Sequence, residues 1–170
     1  RLLELASTMG SVFWTQGLVP LLRTGQEAPE LWTLTGRGDG PAAQPSETQR
    51  IAAALAELEQ RDFILKLPDS TLTGSEEYAF KHNREREAIR ARTTPAAQKR
   101  YHGIFADWLD LQAQTRASEE TLAMLAQHRA EAGDRLAAGL AFLEAGDQAR
   151  ASYAAQRACV HYERGLELLG

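Results

Sequence analysis

The histidine at position 82 stands between a strand-like aromatic run and a densely basic one, in the stretch EEYAFKHNREREAIRAR (76–92). An imidazole N–H can donate to a phosphate oxygen, and a helix beginning at Asn83 would add positive potential at the same place. Three interpretations are open: a phosphate contact, a nucleic-acid contact, or a histidine that caps the junction before a solvated helix. His82 is the candidate ligand-binding residue of the chain.

The other histidines and the single cysteine do not predict a metal site. His128 and His161 fall on separate predicted helices, no pair has metal-ligand spacing, and the motif HExxH does not occur. His102 follows Tyr101 and is expected at the edge of a core. Cys159 is expected to be a small buried residue on a helix, and a lone cysteine fits a reducing, cytoplasmic setting.

No catalytic set can be identified in the sequence. The phosphate-binding loop GxxxxGK[ST] does not occur, and no Ser/His/Asp arrangement follows from the spacing. Asp107 and Asp110 are three residues apart on one predicted helical face, where paired acids are usually part of a solvated surface. We therefore expect no enzyme activity in these 170 residues.

The composition is that of an ordinary soluble protein with an uneven charge distribution. Hydrophobic residues make up 44% and charged residues 25%, and no apolar run is long enough to span a membrane. The formal net charge is −4, yet residues 81–102 hold seven Lys or Arg against two acids, whereas residues 103–170 hold six Arg against ten acids. The net charge argues weakly against a nucleic-acid binder, whereas residues 81–102 form one basic segment in an otherwise acidic chain.

In the first half of the chain, the pattern predicts helix, helix, loop, helix and β-hairpin. Gly10 is expected to end the first helix and Ser11 to cap the second. A disordered-type loop is predicted near 35–46, where Gly and Pro are dense, and Ser46 then caps a helix. The apolar stripe of that helix and the two hairpin runs are Ile51, Leu55 and Leu58, then 63–67 and 77–81. This order is that of a winged helix.

The second half is predicted to be helical, with Pro95 at the start of its first helix. The apolar side of that helix is expected to consist of Tyr101, Ile104, Phe105, Trp108, Leu109 and Leu111. Ala-Gly-Asp occurs at 132–134 and 145–147, and each copy predicts a helix stop followed by an Asp cap.

Two small–aromatic–small sets with the same spacing indicate helices of tetratricopeptide type. The sets are Ala138, Phe142 and Ala145, then Ala158, Tyr162 and Gly165. They lie 20 residues apart, less than the ~34 of a tetratricopeptide repeat. The second unit therefore either has a truncated first helix or belongs to stacked helical hairpins, and a plain helical bundle is the remaining alternative.

Six stretches in this order carry a family resemblance: LASTMGSVFW, LEQRDFI, EYAFKH, YHGIFADWL, AGD and HYERGLEL. Together they resemble the regulatory half of STAND-type signalling ATPases, bacterial proteins that combine an AAA-like NTPase, a winged helix and tetratricopeptide repeats. The resemblance covers nearly the whole chain. It implies a winged-helix domain over 1–94, a helical linker and tetratricopeptide-like repeats over 95–170, and an NTPase module N-terminal to Arg1.

The resemblance also implies a role for His82. In related STAND proteins the winged helix folds back on the nucleotide, and a histidine directly after its last strand contacts the β-phosphate of ADP and holds the closed state. His82 occupies the matching position, so ATP and ADP are implied for the parent protein and no cofactor for 1–170 itself. The implied function is a relay between nucleotide state and protein-partner signals in a signalling ATPase or an ATPase-coupled transcription regulator.

Two other functions stay open. A DNA-binding winged helix would read DNA through residues 47–60, where Gln49 and Arg50 are followed mainly by Ala and Glu, which suit packing against protein. A peptide-binding repeat scaffold would instead hold its partner on the repeat surface. The expected partners are thus the NTPase module, a protein or peptide on the repeats, and a second copy through the last helix. That helix ends in apolar residues that lack a further repeat to cover them: Leu166, Leu168 and Leu169.

Overall fold

The structure, a computed structural model, describes residues 1–24, 46–72, 74–115 and 117–170. Helices take up 72% of the described residues, and the strands form one small antiparallel sheet. The predicted mainly helical class is confirmed. The loop predicted near 35–46 lies outside the described residues except for Ser46. The chain divides into two compact units, unit 1 (Arg1–Ala88) and unit 2 (Ile89–Gly170).

Unit 1 combines short helices with a three-stranded sheet. In chain order its elements are α1 (Leu2–Met9), β1 (Val12–Trp14), α2 (Thr15–Arg23), α3 (Glu47–Gln60), β2 (Ile64–Lys66) and β3 (Glu77–Phe80), and α4 (Asn83–Arg90) follows. The sheet order is β1-β3-β2, and both neighbours run antiparallel to β3. The predicted hairpin is therefore present as β2 and β3, and β3 is the central strand.

The first strand corrects the prediction for the start of the chain. Gly10 ends α1 as expected, with φ of 143°. Ser11 does not cap a helix, because the next residues form β1 and pair with β3, with Phe13 opposite Tyr78. Val, Phe and Trp in succession favour a pleated, buried surface, and stacking of Phe13 on Tyr78 at 5.8 Å between ring centroids adds to it. α2 begins directly after Trp14 without a side-chain cap.

The third helix follows the sequence pattern closely. Ser46 caps α3 by accepting from Gln49 N, and the Gln49 side chain accepts from Ser46 N, which completes a capping box. Ile51 and Leu55 are buried and Leu58 is half-buried, as the stripe predicted. The largest fully buried side chains of unit 1 are Leu5, Phe13, Leu18, Leu21, Leu55 and Ile64. They form the core that holds α3 against the sheet.

Unit 2 consists of four long helices beyond the end of α4: α5 (Pro95–Thr115), α6 (Glu119–Ala132), α7 (Arg135–Ala151) and α8 (Ala155–Leu169). Each packs against the next one along the chain. Pro95 opens α5 as predicted, and Gly133 ends α6 in the left-handed conformation with φ of 91°. Asp134 then caps α7 by accepting from Ala137 N. The first Ala-Gly-Asp prediction is confirmed.

The second Ala-Gly-Asp prediction is wrong, because α7 continues through Gly146 and Asp147 to Ala151. The ring of Tyr162 lies against Gly146, where a Cβ would come within 2.5 Å of Cε1 of that ring. The tyrosine hydroxyl donates to Asp147 across 2.7 Å, and this hydrogen bond holds the pKa of Tyr162 above its usual value. Gly146 therefore leaves space for the ring of Tyr162, and Asp147 accepts a hydrogen bond from its hydroxyl.

The two small–aromatic–small sets lie on consecutive helices. α7 and α8 are joined directly at residues 152–154, so no truncated helix separates the sets. Gly139 and Gly165 face each other, and a Cβ on Gly165 would lie 3.0 Å from the Gly139 carbonyl oxygen. Small residues therefore allow α7 and α8 to approach closely. The version with a truncated helix between the two sets does not agree with this connection.

Two burial predictions in unit 2 are wrong. Leu111 was assigned to the apolar side of α5, but 60% of it is exposed, because Ala113 rather than Leu111 faces Leu122 of α6. Cys159 was expected to be buried, but it is exposed on α8. Its neighbour Ala158 is the buried residue there, and adjacent residues on a helix point about 100° apart.

Candidate functional site

His82 lies exposed in the short connection between β3 and α4. Its backbone carbonyl accepts from Arg86 N at 3.2 Å, so His82 is the last residue before the helical turn. The connection also forms an open surface hollow lined by Lys81, His82, Asn83, Arg84 and Glu85. An imidazole at the amino end of a helix can donate to an anion together with the free N–H groups of the first turn.

The residue before His82 is held at two points. Lys81 N donates to the Phe63 carbonyl at 3.1 Å, and its ammonium group is hydrogen-bonded to Asp62. Asp62 adopts φ of 68°, a left-handed turn conformation after α3. The hydrogen bond and charge of Lys81 hold the pKa of Asp62 below its usual value. These contacts fix the backbone next to His82. They also pair the charge of Lys81 with Asp62.

Arg84 is the second cationic side chain that lines the hollow. It is exposed and enters none of the ion pairs formed among the described residues. Arg86, in contrast, donates to the Asn83 side chain and lies near Glu87. Glu85 is the one acid of the hollow. The local groups that can meet an anion are therefore His82, Arg84 and the first N–H groups of α4.

The exposed face of α3 is chemically poor for reading DNA. Its exposed residues beyond the first turn are Arg50, Ala52, Ala53, Ala56, Glu57, Glu59 and Gln60. Glu57 is paired with Arg61 at 2.6 Å. Base readout needs extended donors such as Arg, Asn or Gln along the helix, and acids repel the phosphate backbone.

A second candidate site is a groove between α6 and α8. Its lining residues are Glu119, Glu120, Ala123, Gln156, Arg157, Val160 and His161. Glu119 accepts from His161 Nε2 at 3.1 Å and pairs with Arg157 at 3.2 Å, so its charge is balanced within the groove wall. Val160 is 57% exposed at the open side. The groove can accept an aliphatic side chain next to the exposed acid Glu120.

The structure brings together two histidines that lie 26 residues apart in the sequence. His102 of α5 and His128 of α6 are both buried, and their Nδ1 atoms are 2.7 Å apart. His102 had been expected at a core edge, and His128 had not been linked to it. Each histidine lies on the inward face of its own helix. Which inward residues of α5 and α6 meet depends on the register between the two helices, and the spacing within one helix does not determine that register.

The two acids of α5 meet a common partner. Arg129 of α6 lies 2.7 Å from Asp107 Oδ1 and 3.6 Å from Asp110 Oδ2. The two carboxylates and Arg129 thus form an ion-pair cluster at the helix surface. The sequence predicted only a solvated face here, without this partner.

Among the described residues, no group of three or more His, Cys, Asp or Glu side chains could hold a metal ion. Within the same ranges, none of the helices combines the length and apolar character needed to cross a membrane. Comparison with protein-family models, curated proteins and solved structures gave no match for the chain. The resemblance to STAND-type ATPases therefore stays a prediction.

Proposed function

We propose that this chain is a non-catalytic regulatory and interaction region of a bacterial STAND-type signalling ATPase. In this proposal, an NTPase module of the same polypeptide holds ADP, and His82 contacts a phosphate of that nucleotide. The observation that carries the proposal is the exposure of His82 directly after β3, in a hollow with Arg84 and the start of α4. Nucleotide state is then relayed by movement of one module against another.

The order of elements in unit 1 supports a winged helix as the carrier of His82. The three helices α1 to α3 and the strands β2 and β3 follow each other as in that fold, with β1 completing the sheet. Because β3 is central and paired on both sides, the residue after it has a well-defined position. A phosphate contact of fixed geometry needs such a rigid support.

The chemistry of the hollow suits a phosphate better than a neutral ligand. Neutral imidazole offers one N–H, and imidazolium offers two together with a positive charge. The N–H groups of the first turn of α4 and the guanidinium of Arg84 add donors that complement anionic oxygens. The site is open to solvent, so these groups reach full strength only when a nucleotide-bearing surface covers them and excludes water.

The direct test is binding between this chain and the purified NTPase module of its parent polypeptide. We expect tighter binding when the module holds ADP than when it holds a non-hydrolysable ATP analogue, since the contact stabilises the closed, ADP-bound state. Isothermal titration calorimetry measures both affinities. Equal affinities for the two nucleotide states, or a parent reading frame without a phosphate-binding loop, would contradict the proposal.

A DNA-binding winged helix is the less favoured alternative. Its reading helix would be α3, whose exposed surface consists mainly of alanine and glutamate. The basic segment after β3 could touch a phosphate backbone, but such contacts carry little sequence information.

A second candidate function, binding of a peptide by unit 2, is favoured by the groove between α6 and α8. The proposed ligand is an extended segment that places an aliphatic side chain against Ala123 and Val160 and a basic one at Glu120. Display of a random peptide library on immobilised protein would enrich such sequences. Enrichment should be lost with Val160→Glu and kept with Leu111→Glu, a matched change at another exposed apolar residue. Enrichment that survives Val160→Glu would place the ligand elsewhere.

A further inference from the structure

The buried pair His102–His128 sits where α5 packs on α6, and neither part of the proposed function uses it. Both rings are at most 5% exposed. The ring centroids are 4.9 Å apart, and Phe105 meets the His128 ring edge-on at 4.7 Å. Two polar rings in such an apolar setting cost free energy unless their nitrogens are paired.

We propose that this pair is an acid-sensitive latch, which holds the first half of α5 against α6 while both rings are neutral and releases it when they are protonated. The geometry that carries the proposal is the approach of the two Nδ1 atoms to 2.7 Å. At this distance only one proton fits between the nitrogens, so one ring donates and the other accepts.

The environment of the outer nitrogen of His102 indicates which ring donates. His102 Nε2 is buried and has no hydrogen-bond partner among the described residues. A proton there would be a buried, unpaired N–H group, which folded proteins rarely tolerate. His102 therefore carries its proton on Nδ1 and donates it to Nδ1 of His128.

Adding a proton to the closed pair is unfavourable at either ring. On His102 it must go to Nε2, where a positive charge would be buried without a partner. On His128 the added proton would go to Nδ1, where its N–H group would face the Nδ1–H group of His102. This clash is avoided only if the proton of His102 moves to Nε2, which has no hydrogen-bond partner among the described residues. When α5 separates from α6, both rings meet water and can be protonated freely.

The charged groups around His102 act in opposite directions. Burial lowers the pKa of His102, Glu131 of α6 opposes this decrease, and Arg90 at the end of α4 reinforces it. Because the closed state binds protons less readily than the open state, the latch is fully stable above the ordinary histidine pKa of about 6.5 and weakens as pH falls below it. Each proton taken up on opening raises the opening constant by up to about tenfold per pH unit.

The release should be confined to part of the α5–α6 contact. Arg129 of α6 holds Asp107 and Asp110, which lie five and eight residues after His102 on α5. These ion pairs do not involve the two histidines, so residues 98–106 are the segment expected to open.

Amide hydrogen exchange of the whole chain, corrected for intrinsic rates, tests the latch between about pH 7.5 and pH 5.5. From about pH 7.5 to about pH 5.5 the protection of residues 98–106 should fall about tenfold for one proton or about a hundredfold for two, while α8 stays unchanged. His102→Asn keeps an N–H donor near the Nδ1 position but does not titrate, so it should remove much of this dependence. His82→Asn, which alters an exposed histidine of unit 1, should leave it intact.

A measurement on the unaltered protein keeps the test decisive if His102→Asn fails to fold. The imidazole resonances of His102 should stay those of the neutral, Nδ1-protonated ring for as long as residues 98–106 are protected. A ring that titrates near its ordinary pKa while these amides remain protected would overturn the latch. Protection that is independent of pH would also overturn it, as would a rise in melting temperature with Zn²⁺ at neutral pH, which would identify the pair as metal ligands instead.

Discussion

The indole Nε1 of Trp14 donates to Oε2 of Glu77 across 3.0 Å, between two buried residues that face each other in β1 and β3. The same oxygen accepts from N and Oγ1 of Thr71 at 2.6 and 2.9 Å. One buried carboxylate thus joins the first strand, the last strand and the turn between β2 and β3. The frame that ends at His82 depends on this junction.

Replacing Glu77 with Ala should lower the free energy of unfolding of unit 1 by at least about 1.5–3 kcal/mol, because hydrogen bonds to a buried charged group are lost. The matched control is Glu76→Ala, since Glu76 is exposed and pairs with Lys66 at the surface. That change should cost less than about 1 kcal/mol. Urea unfolding measures both, and equal losses in the two variants would show that the Glu77 junction is not a stabilising one.

Two helical glycines, Gly146 in the close contact between α7 and α8 and Gly103 on α5, should respond oppositely to replacement by alanine. Gly146→Ala forces a methyl group into the ring of Tyr162 and should destabilise unit 2 by about 1–3 kcal/mol, despite the better helix propensity of alanine. Gly103→Ala meets only Ala132 Cβ at 3.7 Å and should be neutral or stabilising by up to about 1 kcal/mol. Thermal melting of both variants decides, and a stabilised Gly146→Ala would contradict the packing.

The same glycines show where sequence patterns were informative. Gly133 followed by Asp134 ends one helix and caps the next, as predicted, because both residues are exposed and act locally. Gly146 followed by Asp147 has the same sequence but lies under Tyr162, a contact across helices. The cap at Gly133 and Asp134 could therefore be predicted from neighbouring residues, whereas the close approach of α7 and α8 could not.

The same distinction, between features set by neighbouring residues and features set by contacts between distant elements, applies to the candidate site residues. His82 was placed correctly at a strand–helix junction, since that position follows from neighbouring residues alone. The strand β1 was missed because three residues carry too little periodicity, and its formation depends on pairing with β3, more than 60 residues away. The His102–His128 pair likewise depends on a contact between two helices.

The surface of α3 predicts that the chain has no specific affinity for DNA. A fluorescence anisotropy titration at about 150 mM salt should show only weak binding, which fades as salt is raised because phosphate contacts alone support it. Arg84→Glu should weaken this residual binding, whereas Arg50→Glu should have less effect if α3 is not the contact. A tight, salt-resistant and sequence-selective complex would contradict this prediction.

The last helix predicts self-association. Leu166 is 62% exposed on α8, and Leu136 and Leu140 are similarly exposed on α7. Leu169, in contrast, packs on Gly139, so it is partly covered already. We expect light scattering to show dimers or larger species at high concentration, and Leu166→Glu to reduce them. Leu111→Glu, on α5, is the matched control that should not. A strict monomer at millimolar concentration would exclude association through this surface.

The central proposal is the phosphate contact of His82, and the ADP affinity of the STAND-type parent protein that this proposal implies tests it most directly. His82→Ala removes a charge-assisted hydrogen bond to phosphate, so ADP affinity should fall about tenfold to a hundredfold, and the ATPase should shift toward its open, active state. The melting of residues 1–170 alone should barely change, because the ring is exposed and no nucleotide is bound there. Unchanged ADP affinity in the full-length His82→Ala protein would contradict the claim.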